Sequence, residues 1–208
     1  MRHPVIAALL VLNLGGSLWA APAVSSRQVN LSAGWLPQRR SVRIPSPDGR
    51  WTLIASPFSL NQESTLTLEN MRDGQRSIVK HIDRDISVDW SPDSKAFSLN
   101  DAYGSNVASA YIYRLGADAP LRLDDVIVKS DAKAQATNAD YAYFQVLRWV
   151  DPRHIRVEFC GHDSSRADHH FDFVYAVTLT PQSNQAEAVR MISQRTGPQP
   201  MVAPECRY

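Results

Sequence analysis

Ser46-Pro47-Asp48-Gly49-Arg50-Trp51 comes back, altered, as Ser91-Pro92-Asp93-Ser94-Lys95-Ala96-Phe97, and the two copies start 45 residues apart. Each reads as a turn running into a strand. Proline presets the backbone for the second position of a turn, aspartate bonds the amides ahead of it, and Gly49 accepts the positive φ that a side chain resists. A period of about 40–45 residues built on such turns marks a unit of four antiparallel strands repeated along the chain.

Outward from each copy the pattern is short alternating strands separated by turn residues. Ser41 to Pro45 leads into the first turn and Trp51 to Ala55 leaves it. Ser64 to Glu69 and Arg76 to His81 complete the set around Asp73-Gly74, a strong hairpin signal. The second set is Ile86 to Trp90, Ala96 to Asn100, Ala108 to Arg114 and Pro120 to Leu123. The third is Val146 to Asp151, His154 to Phe159, Phe171 to Thr178 and Ala186 to Ile192, with Trp149 in the place of Trp90. The units are therefore expected at about 41–82, 83–123 and 144–192. An insertion at 124–143 has an Asp-Ala-Lys-Ala-Gln-Ala centre (Asp131 to Ala136) that predicts one short helix. Long helical periodicity is nearly absent, so the expected class is all-β, and Trp51, Trp90 and Trp149 are expected in the core.

Ser-Pro-Asp-Gly before an aromatic residue, repeated as Trp90-Ser91-Pro92-Asp93, resembles the WD-like repeats of TolB-type β-propellers over roughly residues 41–192. The resemblance implies four-stranded antiparallel blades. It implies a frame rather than a chemistry, since such repeats serve binding proteins, peptidase accessory domains and lyases alike. Propellers typically carry at least four blades, whereas three sets are legible here. The expectation is a partial or atypical propeller, with residues 24–40 covering one of its terminal strands.

The chain's start bears on compartment. Arg2 and His3, the apolar run Val5 to Leu14 and the small residues Gly15 to Ala23 follow the order of a cleaved secretory signal, with cleavage expected near Ala20 or Ala23. That run is shorter than the roughly 20 residues needed to cross a bilayer, and no second one follows. The expected location is periplasmic or secreted. Removing residues 1–23 takes away one basic residue of 22 and none of the 21 acidic ones, leaving a balanced chain. Balance argues against nucleic acid as a partner. Cys160 and Cys206 are the only cysteines. In an oxidising compartment they are expected to pair, tying the tail 193–208 back to the domain.

Repeat geometry points to a surface. In an up-and-down blade, the connections between second and third strands emerge at one end of the frame, together with the connections between blades. That end is expected to present Asn61 and Glu63, then Asn100, Asp101, Tyr103, Ser105 and Asn106, then His162, Asp163 and Arg166. Polar loops on a rigid frame are where binding sites concentrate. The loop 161–172 also gathers three of the six histidines with carboxylates. His162, Asp163, Asp168 and His169 are a candidate set for a divalent metal such as zinc, although their spacing matches no zinc signature, and a plain hydrophilic loop is the competing reading. No G-x-S-x-G, H-E-x-x-H, P-loop or helix-opening G-x-G-x-x-G occurs.

The function expected from these features is an exported, non-catalytic module that binds an envelope or secreted protein through its loop-rich end. It would need no cofactor. The alternative is a metal-binding protein or metal-dependent hydrolase using loop 161–172.

Overall fold

The computed structural model describes residues 29–31, 41–57, 64–137, 139–163 and 166–197; for residues 30, 31, 163 and 166–169 it describes the backbone alone. Mostly β, it holds two sheets. The first has the order β2 (Val42–Pro45), β3 (Trp51–Ala55), β4 (Ser64–Asn70) and β5 (Arg76–Ile82), antiparallel throughout. The second contains β1 (Val29–Leu31), β6 (Asp85–Trp90), β7 (Ala96–Ala102), β8 (Val107–Arg114), β10 (Tyr141–Trp149), β11 (His154–Asp163), β12 (Arg166–Leu179) and β13 (Ala186–Gly197), in that order. A two-residue strand, β9 (Leu121–Arg122), pairs with β8 beside that path.

The repeated turn is the local device that sets each unit. The Ser46 hydroxyl donates to Asp48 at 2.7 Å and accepts from the Trp51 amide at 3.1 Å, while Asp48 accepts from the Arg50 amide at 3.0 Å. Forty-five residues on, Ser91 donates to Asp93 at 2.8 Å and accepts from the Ala96 amide at 3.0 Å. The left-handed position falls on Gly49 in one copy and on Ser94, with φ of 61°, in the other. The Ser94 hydroxyl accepts from the Asp48 amide at 3.0 Å, so the residue that bears this unfavourable backbone also ties the two turns together.

Tryptophans carry the stacking of one unit on the next. Trp90 Nε1 donates to the Ile44 carbonyl at 3.1 Å, and Trp149 Nε1 donates to the Asp89 carbonyl at 3.2 Å. Asp89 follows Ile44 by one repeat of 45, so one contact is made twice. Around the first, Leu53, Leu66, Val88, Phe97 and Leu99 form a core between the first sheet and the β6–β8 region. Around the second, Ala110, Ile112, Val146, Val157, Phe173 and Tyr175 form another with the helices. Each such side chain removed from water contributes about 1.5–3 kcal/mol.

The insertion departs from expectation. It folds into two helices, α1 (Leu123–Ser130) and α2 (Ala132–Ala136), and residues 141–143 belong to β10. Asp124 and Asp125 in the first turn of α1 and Lys129 in its last suit the helix dipole, and Leu123 and Ile127, one turn apart, are both fully buried. This helix starts where the fourth strand of the second unit was expected to continue, cutting that strand to β9. The edge of β8 that it gives up is shared out. Asp124 accepts from the Ala110 amide at 3.1 Å and the Ser109 hydroxyl at 2.5 Å, and β10 pairs in parallel with Val107 and Ala108. The second and third units therefore run on as one sheet. Residues 29–31 lie along β6, with Val29 opposite Val88.

Candidate binding surface

The connection 103–106, the adjoining ends of β11 and β12 and the start of β10 meet at one end of the second sheet. Asn106 Nδ2 donates to the Asp140 carbonyl at 2.9 Å, the Ala142 amide to the Asn106 carbonyl at 3.0 Å, and the Tyr143 hydroxyl to the Ser105 carbonyl at 3.2 Å. Burial, helped by neighbouring Tyr141, raises the Tyr143 pKa, so the phenol keeps its proton and stays a donor. The Tyr141 ring stacks on His162 at 4.1 Å between centres, and His162 faces His170 across the strands at 5.2 Å. Tyr103 is 43% exposed in the turn above. An aromatic and imidazole row is thereby joined to a short polar turn held at three points.

This row depends on a long hairpin where a loop was expected. β11 runs to Asp163 and β12 starts at Arg166, so Gly161 pairs with Phe171 and His162 with His170 inside the ladder. Glycine at 161 has a steric reason: an added Cβ would lie 1.9 Å from the Tyr141 carbonyl oxygen and 2.8 Å from the Phe171 ring.

Two residues expected on the surface are buried. Asn100 and Asp101 lie inside because β7 continues to Ala102, with Asn100 bonded to β6 and β10 of its own sheet and Asp101 turned to the first sheet. Asn100 donates to the Val146 carbonyl at 3.1 Å, accepts from the Val146 amide at 2.7 Å and donates to Ser87 at 3.0 Å. Asp101 pairs with Lys80 of the first sheet at 2.8 Å. Asp101 ties the two sheets together and Asn100 ties β7 to β6 and β10 within the second, while Tyr103, Ser105, Asn106 and His162 lie at the end of that sheet. Asn61, Glu63 and Cys206 lie outside the described residues. Asp163, Arg166, Asp168 and His169 have their backbone in β11 and β12.

Sequence reasoning missed Tyr141 and Tyr143, and it counted His170 in the histidine-rich loop but took His169 for the candidate set. The alternation Tyr141-Ala142-Tyr143-Phe144 is a strand signal, which the helical composition just before it obscured. Among the described residues no group of three His, Cys, Asp or Glu converges as a metal site. The candidate set also changes at one position, because the register puts His170, not His169, opposite His162. Cys160 is buried beside this row, and no free cysteine occurs among the described residues. A groove of about 530 Å³ lies under α1, and its Arg122 is paired with Asp124 at 2.9 Å. No described helix is long and apolar enough to cross a membrane.

No protein-family model matches the chain, and no curated protein matches it. Among solved structures it is similar to the crystal structure of TolB from Acinetobacter baumannii, at 17% identity and a TM-score of 0.40 over 74% of this chain. The match spans 32% of the TolB chain, about a third of its length, and stands as a weak likeness of fold.

Proposed function

We propose that the protein is an exported, non-catalytic module that binds another envelope or secreted protein through the end bearing Tyr103, Ser105, Asn106, Tyr141, His162 and His170. One observation carries the reading: the 103–106 turn and the head of β10 are locked together by hydrogen bonds that use backbone carbonyls, and Tyr141 of that head stacks on His162. Tyrosine and histidine rings joined to serine and asparagine supply contact area at low entropic cost, with adaptable hydrogen bonding around it. The resemblance of the Ser-Pro-Asp repeats to TolB-type propellers supports the same reading, as does the order of residues 1–23, which suits export.

Photo-crosslinking in the native envelope fraction tests it. A crosslinking residue at Tyr103 or Tyr141 should capture one recurring protein. The same residue at Asp118, exposed in the turn at the opposite end of β8, should not. Capture from Asp118 as strong as from Tyr103, or capture from Tyr141 unaffected by Tyr103→Ala with His162→Ala, would remove this surface from consideration.

A further inference from the structure

We infer that His162 and His170 form a two-imidazole chelate for a borderline divalent metal of the zinc type. The two residues are directly opposed in the β11–β12 register, so their side chains leave the same face of the sheet. Both are partly exposed, and among the described residues neither ring nitrogen has a hydrogen-bond or ion-pair partner. Such donors remain available to an ion from solvent.

The spacing is the quantitative argument. At a Zn–N distance of about 2.0–2.1 Å, the centre of an imidazole lies about 3.2 Å from the metal, and two rings at a tetrahedral angle then stand about 5.2 Å apart. The His162 and His170 centres are 5.2 Å apart. Tyr141 covers a face of His162, stacked within 16° of parallel, and this fixes the ring plane without touching the in-plane nitrogens that bind metal. Nitrogen donors select zinc-like ions over calcium or magnesium, which prefer oxygen. Two protein donors leave the remaining positions to water, so this site is open rather than structural. The inference goes beyond the protein-binding reading and does not depend on it.

The test is titration of untagged mature protein with zinc chloride, followed by calorimetry and by imidazole proton NMR. One equivalent should bind, with the signals of His162 and His170 shifting first, and excess calcium should not compete. His162→Ala and His170→Ala should each weaken binding at least roughly tenfold, and the double variant little further, because removing either donor breaks the chelate. His162→Gln keeps a planar group against Tyr141 and serves where the alanine variant is unstable. His154→Ala, on the far end beside Asp151, should bind as wild type does. Unchanged binding in both single variants overturns the inference. So does loss of binding in His169→Ala with retention in His170→Ala, because that would make the donors those of the original sequence set.

Discussion

At Asp48 one carboxylate holds a whole turn. Desolvation pushes its pKa up, but the Arg50 amide, the Ser46 hydroxyl and the Arg50 guanidinium all donate to it and outweigh that, lowering it from 3.8 to about 2. A carboxylate depressed on folding contributes stability above its unfolded pKa, and that contribution fades as pH falls toward the folded value. Between about pH 4 and pH 2 the wild type should therefore lose Tm more steeply than Asp48→Asn. Equal slopes in a pH series of melting curves would show that the turn does not depend on the charge. This level was legible in advance, because Ser-Pro-Asp acts on its own backbone within five residues. The cross-repeat bond from the Asp48 amide to Ser94 was not, since it depends on how two units stack.

Among the elements, β7 matters most, because it touches both neighbours. Asn100 satisfies both backbone groups of Val146 in a buried setting, so Asn100→Ala would leave a buried amide and a buried carbonyl without partners. Chemical denaturation should report a loss of about 2–4 kcal/mol. A loss below about 0.5 kcal/mol would place Asn100 on the surface after all. Strand positions were readable from alternation and turn residues, and three of the four strands of the second unit stand close to where the pattern put them. Ends were not readable. Whether Asn100 and Asp101 are loop or strand depends on the partners offered by β6, β8 and β10, and β11 and β12 extend past Phe159 and before Phe171 for the same reason. The candidate surface was found in outline through repeat geometry, but its Tyr141 and Tyr143 come from a strand that local composition disguised.

On the scale of the whole molecule, three units stack among the described residues, and the faces turned away from their cores differ. Beyond the first sheet, Glu69 is bonded by Arg43 and by Arg76, the latter at 2.6 Å, on the side away from Leu53 and Leu66. On the third unit, the register rows Tyr143, Cys160, Asp172, Arg195 and Gln145, Glu158 lie on the side away from the Phe144 and Phe173 core, and Cys160, Glu158 and Asp172 are buried there. We propose that Cys160 pairs with Cys206 on this last face. Intact mass should then rise by about 2 Da on reduction, and Cys160→Ser should lose up to about 4 kcal/mol for a loop of this length. Two free thiols in protein made under oxidising conditions would exclude the pairing. The parallel contact of Val107 and Ala108 with Ala142 and Tyr143 has a consequence in time. A chain emerging from its N-terminus completes β8 about 30 residues before the strand that must lie along its edge. Until β10 arrives, the sheet has an open flank at the very residues that later support the binding surface. Substitutions that slow the closing of α1 and α2 should therefore appear first as lower yield of folded protein, with the melting temperature of the survivors unchanged.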